Sequence, residues 1–470
     1  MSSTPLLDDA SGVGAGAVRL AGCQIAVCGL GGRMCWYSLN VAVDVFSRIF
    51  GASVYPQMLF VYNAGATVGL ILQVLYDARL DALYGIKTTF FVRYAVGLVV
   101  LIGIQLVVAS VTQQGVLLLL CTLAGFADYY AGGTLTQVAG MYGGSPSAVF
   151  IGQSSCGILL LAYTLATGFG GDADQSGGAT VYFMLCSACS ASALVVFCLF
   201  WRRDPCALAI VSGAEANRVK PHRASIIALE TLSALLAEAT GGERSSRSTD
   251  ASIYSSPSSS NVELLRQRHS LESDRLLANQ KMMEEVRKKE WLVLKRAARS
   301  TWMLQLAIMM QWVAMLGVQS YFTLIQCATG PSTEAGGASA GSQQASTMNQ
   351  QLVYVNMFAL AAGQWLPDWL PHLGDITQGR LLAASASMLA ISLPAVNIYV
   401  AGGVPLISKG EMCAVMSLFY SFGAGLWMLD YRFVSTMDAA LQPPTIRLLN
   451  LSLEIGILLG IAASSLQHEV

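Results

Sequence analysis

Stretches of about 20 or more mostly apolar residues recur along the chain near 22–47, 57–76, 88–110, 115–140, 147–168, 180–201, 300–326, 351–371, 379–400, 408–435 and 445–466. A bilayer core takes about 20 such residues as one helix. Hydrocarbon offers no water to an unpaired backbone, so only helices and closed barrels cross it, and barrel strands are only about ten residues long. The runs therefore predict an all-α integral membrane fold of eleven transmembrane helices, split into six-plus-five bundles by a long polar insert. The charge content supports this: only 12 % of residues are charged, against about 25 % in soluble domains.

Of the 27 Lys and Arg residues, 16 fall between Arg202 and Arg296, so the near-neutral total describes no single region. Short loops with Lys and Arg stay in the cytoplasm. Arg79, Lys87, Arg380 and the 432–447 turn then share a side with the insert, which places the N-terminus in the cytoplasm and the C-terminus outside. The expected organisation is a cytoplasmic tail over 1–21, a six-helix bundle over 22–201, a cytoplasmic loop over 202–298 and a five-helix bundle over 299–470. Residues 1–19 lack a basic start followed by a cleavable apolar core, so the first span is expected to act as an uncleaved anchor.

The insert contains "RSSRSTDASIYSSPSSSN", too poor in apolar residues to form a core. Its later part differs: Leu264, Leu265, Leu271, Leu276, Leu277, Met282 and Val286 recur at near-helical spacing in a basic context. This predicts an amphipathic basic helix leading into the seventh span. Ser270, after Arg266 and Arg268, is a candidate phosphosite; the alternative is an unmodified solvated loop against lipid headgroups.

Eleven cysteines lie mostly inside apolar runs and form no disulfide framework, and the Cys186/Cys189 pair sits among small residues that suit helix packing. The four histidines, His222, His269, His372 and His468, fall in expected loops or tails, so no intramembrane metal site is expected. No phosphate-binding loop is present, so direct ATP use is not expected, nor any other cofactor. Without paired carboxylates on one helix or a histidine cluster, an intramembrane enzyme is the weakest reading. The expected partners are a small-molecule substrate and the lipid bilayer, not nucleic acid.

Charged groups inside spans cost about 2.5–3.5 kcal/mol each and usually face a partner or a water-filled cavity. Arg33 and Asp128 are expected near mid-depth, whereas Asp44, Arg93, Asp430 and Arg432 could reach an interface by snorkelling. Asp128 either touches a transport pathway or forms a structural ion pair with Arg33 or Arg93. Gly65 with Gly69 and Gly456 with Gly460 fit the GxxxG packing pattern, and Gly132, Gly133, Gly140, Gly143, Gly144 and Gly152 would let the fourth and fifth spans pack closely.

The residues that follow Asp128 resemble the equilibrative nucleoside transporter family. Gly133 and Thr134 stand where that family has Gly-Ser, Ala139 and Gly140 at its Ala-Gly step, and Gly152, Gln153 and Gly157 at the opening of its fifth span. Trp36, Ala42 and Phe46 match its first-span pattern, Asn63 follows Tyr62 in the second, Arg93 opens the third, and Tyr182 and Phe183 open the sixth. Three departures stand out. Tyr37 replaces the Asn after the tryptophan, Gly132 replaces the span-four Gln, and "VNMFALAAGQ" keeps Asn356 and Gly363 but has Ala359 and Gln364 near the family's nucleoside-binding Asp and Arg.

The resemblance implies a major-facilitator-like alternating-access architecture, with a substrate site at mid-membrane between two bundles. On that frame Trp36 would stack on a planar ring while Asn63, Asp128, Gln153 and Asn356 supply hydrogen bonds; Gly133, Gly140, Gly152 and Gly157 would serve helix packing. The function it implies is transport of nucleosides or nucleobases, by facilitated diffusion or coupled to protons through Asp128. Transport of another small organic solute, a twelve-span major-facilitator carrier, and a non-transporting membrane sensor or scaffold are the alternatives.

Overall fold

The structure, a computed structural model, describes residues 15–51, 53–141, 147–169, 175–203, 284–285, 288–289, 291–316, 354–365, 377–401, 409–437 and 441–466. Its regular elements are α1 (Ala15–Val41), α2 (Val43–Phe50), α3 (Val54–Tyr84), α4 (Ile86–Val108), α5 (Gln114–Met141), α6 (Ser147–Thr167) and α7 (Gln175–Arg203). They continue as α8 (291–316), α9 (354–365), α10 (Gln378–Ala401), α11 (Lys409–Ser435) and α12 (Gln442–Leu466). The fold is all-α, with no strand among the described residues.

The composition of α4 shows what these helices are built for. Phe90, Arg93, Tyr94, Gly97, Leu98, Leu101 and Ile104 recur at three- and four-residue spacing and are buried. On the opposite side Val92, Val96, Val99, Leu106 and Val107 are exposed, so both faces are apolar. In water such a helix would leave a large uncovered patch; in lipid the outer face is matched to its solvent. The same coat covers other helices, with Leu165, Leu418 and Ile391 at least 70 % exposed. Among the described residues, six helices are long and apolar enough to cross a membrane, over Val54–Asp77, Ile86–Val108, Gln114–Ala139, Ala148–Thr167, Gly177–Arg202 and Gln442–Ala463. The chain is a multi-pass membrane protein.

Within the first half (α1–α7), α3 packs on α5, α1 on α6 and α7, and α4 on α5 and α7. Glycine makes two of these contacts close. A Cβ at Gly65 would strike the Thr122 carbonyl of α5, and one at Gly152 would strike the Ala26 carbonyl of α1. Such small residues let backbones approach where lipid gives no hydrophobic drive to helix association. In the second half, Tyr420 of α11 donates to the Met315 carbonyl of α8 at 3.0 Å, and Ser421 of α11 to the Ala359 carbonyl of α9 at 2.9 Å. The halves meet through α12, which packs on α3 and α5, and through Gly157 of α6, where an added Cβ would lie 2.9 Å from the Met357 side chain of α9.

Several local features differ from the sequence expectations. The first helix starts at Ala15 and breaks at Ala42, so the stretch expected as one span over 22–47 is two helices. Arg93 and Asp430 are buried inside the protein, 3 % and 0 % exposed, and each has a buried hydrogen-bonding partner. Helix α3 runs on to Tyr84, eight residues beyond the expected end of its span, and carries Asp77 and Asp81 into the bundle. It hands over to α4 through Gly85 alone, whose φ of 81° is one that side-chain-bearing residues rarely adopt. Ser270 and most of the 202–298 insert lie outside the described residues.

Candidate functional site

The site begins with Arg33, one of two charged residues that α1 carries inside an otherwise small and apolar sequence. Its Nη1 donates to the Asp128 carboxylate of α5 and to the Tyr62 hydroxyl of α3, each at 2.8 Å. Tyr62 in turn donates to the same carboxylate oxygen of Asp128. The guanidinium lies 4.2 Å from the centre of the Tyr129 ring, over its face, an arrangement that favours a cation. The Arg33 side chain is 15 % exposed and Asp128 only 2 %. Charges this dry survive only when paired and hydrogen-bonded, and three helices supply those partners here.

Arg33 opens onto a cavity of about 40 Å³ that is partly open. The first half contributes Arg33, Tyr37, Tyr129, Gln153 and Ser154 to its wall; the second half contributes Trp312, Leu360, Gln364, Trp427 and Leu453. That volume is well below the range of ligand sites, about 300–1,000 Å³. Trp312 and Trp427 meet edge to face, with ring centres 5.5 Å apart and planes at 83°. The indole N–H of Trp312 is buried and has no hydrogen-bond acceptor among the described residues. Across the cavity, Ser154 of α6 donates to the Gln364 side-chain oxygen of α9 at 2.9 Å, a direct polar tie between the halves.

The residues expected from sequence take different positions around this cavity. Gln153 is on its wall, and Asp128 stands one layer behind, holding Arg33. Gly132 leaves room between those two: a Cβ there would lie 3.9 Å from Asp128 Oδ1 and 3.9 Å from Gln153 Nε2. Trp36 stacks on Tyr62, with ring centres 3.6 Å apart and planes at 14°, and so buttresses the ion pair. The Asn63 amide donates to the Leu59 carbonyl of its own helix at 2.6 Å. Asn356 is buried on α9 away from the cavity wall, its Oδ1 without a hydrogen bond among the described residues. Of the packing glycines, Gly133 lies against the Gln73 amide, Gly152 against Ala26 and Gly157 against Met357; Gly140 is helical in α5.

Tyr37, Tyr129, Ser154, Trp312, Gln364 and Trp427 were not singled out as binding residues by sequence. Aromatic and amide side chains in a span look alike whether they pack or bind. Glu454 of α12 is another matter: it is a lone carboxylate in an apolar run, the signal that marks Arg33 and Asp128, and it is fully buried beside Tyr129.

A second ionic cluster lies where α3 meets α4. Arg93 bonds Asp81 at 2.8 Å and the Asp77 carbonyl at 2.9 Å, and its Nη1 is 3.0 Å from the Asp77 carboxylate. Thr89 donates to Asp81 at 2.6 Å. Arg447, at the start of α12, adds its charge to Asp77 from the second half.

No family model matches the chain, and no curated protein does. Among solved structures it is similar to the major facilitator superfamily proton:xylose symporter XylE bound to 6-bromo-6-deoxy-D-glucose, with 12 % identity, a TM-score of 0.48, and coverage of 96 % of this chain and 88 % of that one. It is also similar to the human organic anion transporter MFSD10 (TETRAN), with 15 % identity, a TM-score of 0.46, and coverage of 95 % and 92 %.

Proposed function

We propose that the chain transports a small organic solute by alternating access, and that its substrates are nucleosides or nucleobases. The observation that carries this reading is the cavity itself: a partly open space walled by α1, α5 and α6 from one half and α8, α9, α11 and α12 from the other. A site shared in this way changes its access when the halves rock, without having to be rebuilt.

The wall suits a flat, polar-edged solute. Tyr37, Tyr129, Trp312 and Trp427 offer ring faces and edges. Gln153 and Gln364 each carry an acceptor and two donors, the mixture that the edge of a nucleobase requires. The unpartnered Trp312 N–H gains a hydrogen bond from any carbonyl or ring nitrogen placed before it. Arg33 brings a donor whose charge Asp128 already balances, so a neutral solute meets no net charge from that pair. On this reading the contacts Ser154–Gln364 and Gly157–Met357 part as the cavity opens, the N-terminus is cytoplasmic and eleven helices span the bilayer.

Counterflow in proteoliposomes tests both parts of the reading. Vesicles of purified full-length protein loaded with unlabelled solute should take up labelled uridine, adenosine or hypoxanthine saturably. Exchange of glucose or an organic acid instead would remove the nucleoside assignment and keep the transporter. Absence of exchange across the whole panel would remove the transporter as well.

A further inference from the structure

We infer that Glu454 is the residue that carries a co-transported proton, coupling solute movement to a proton gradient; the inference rests on the transport reading above. Glu454 sits in the middle of the Gln442–Ala463 span, fully buried, and neither of its carboxylate oxygens has a hydrogen bond among the described residues. It belongs to the second half but faces the Tyr129 hydroxyl of the first, and its neighbour Leu453 lines the cavity. So its surroundings must change when the halves rock.

The groups around it show why this carboxylate and not Asp128. From α1 comes Arg33, from α5 Asp128 and Tyr129, and from α11 Tyr431. On α3, Tyr62 is engaged by Asp128, while Asp77 lies with Arg93 and Arg447, the last seven residues or about two helical turns from Glu454. Among the described residues Arg33 is the cation that acts on Glu454, and it bonds Asp128 directly while its guanidinium rests over the Tyr129 ring. Asp128 has both a countercharge and a hydroxyl donor in direct contact, whereas Glu454 has only the Tyr129 hydroxyl beside it and no countercharge in contact. A buried carboxylate in that position costs several kcal/mol when charged, and a proton removes the cost.

The cycle balances simply. A proton from the water on the side of entry adds to the Glu454 carboxylate, leaving Arg33 and Asp128 as a neutral pair around the loaded cavity. The halves then close and reopen, Glu454 meets water on the other side, and the proton leaves as the solute does. One positive charge crosses with each neutral solute.

The test uses the same proteoliposomes, reading exchange and gradient-driven uptake of labelled uridine, adenosine and hypoxanthine, with an entrapped pH dye. An outside-acid gradient of two pH units should raise accumulation by up to about a hundredfold over the gradient-free level, tenfold per unit for one proton per solute. Solute addition should acidify the lumen. Glu454→Gln, which keeps shape and loses the proton site, should retain counterflow exchange while losing both gradient-driven accumulation and lumen acidification. Exchange in the unaltered protein with no response to the gradient overturns the inference and leaves transport standing, and this arm needs no variant to fold. Full coupling retained in Glu454→Gln overturns it too. Failure of every solute to exchange overturns the transport reading and this inference with it.

Discussion

Removal of either member of the Arg33–Asp128 pair should cost far more than removal of both. Asp128 is 2 % exposed, and in Arg33→Met it keeps one donor, the Tyr62 hydroxyl, against an uncompensated charge. Breaking a buried pair from one side costs about 3–5 kcal/mol, and this variant should lie in that range. Asp128→Leu leaves a guanidinium that is 15 % exposed and still rests on the Tyr129 ring, so its cost should be lower, about 2–3 kcal/mol. The double variant replaces the pair with apolar groups and should come within about 1 kcal/mol of the unaltered protein. Unfolding in mixed detergent–SDS micelles, run as a double-mutant cycle, reads the coupling, expected at about 3 kcal/mol or more and opposite in sign to the single losses. Single costs that add to the double within about 0.5 kcal/mol would refute the reasoning, since independent sites behave that way. Counterflow on the stable double variant then separates roles: a folded protein with no exchange means that Arg33 also holds the solute.

Three further outcomes are expected. Ser154→Ala removes the 2.9 Å bond to Gln364 between the halves, so its exchange kinetics should change by less than about tenfold, the size of one ordinary hydrogen bond, with KM moving more than the limiting rate. Gly152→Leu should abolish assembly, because even a Cβ at that position meets the Ala26 carbonyl, a backbone atom that cannot step aside; size-exclusion chromatography of the expressed protein reads this directly. Neutralising Arg447 takes one charge from Asp77 and should loosen α12 from α3, so a cysteine placed at Gln137, a buried α5 residue beside Asp77, should react with a water-soluble thiol reagent several-fold faster in Arg447→Gln than alone.

Much of the fold was legible because lipid reduces the problem to length and apolarity. The run that became α4 is apolar on both faces, and no packing detail is needed to see a helix there. Arg33 and Asp128 were legible for a related reason: a charge in such a run demands a partner. The limits have physical causes too. Window apolarity ends α3 near Tyr76, yet Asp77 and Asp81, one turn apart, both reach Arg93, and that shared cation lets the helix continue buried. Ser154 and Gln364 are 210 residues apart, and nothing local in either stretch announces that they bond. Trp36, chosen for its ring, is occupied with Tyr62, while Trp312 and Trp427 supply the rings at the cavity. Residue type was readable, and for Asp128 so was a choice of two cations; the partners of Ser154 and Trp36 were not.

The two ionic clusters differ in how they cross the boundary between halves, and that difference bears on the energy of rocking. At the α3–α4 end, Arg93 and both aspartates belong to the first half and would stay together through any rigid-body motion, while Arg447 comes from the second. Opening that end separates one charge from a cluster that keeps its own cation and admits water to it, so the loss is nearer the about 0–1 kcal/mol of a hydrated pair than the 3–5 kcal/mol of a dry broken one. At the cavity the Arg33–Asp128 pair is likewise internal to the first half, and Glu454 is the charged group that the second half brings to it. On the proposed rocking cycle each half would keep these ion pairs intact while, among the described residues, Arg447 at one level and Glu454 at the other would be exchanged between protein and water. A two-state protein needs states within a few kcal/mol of each other, and this division of charges is one way to keep them so.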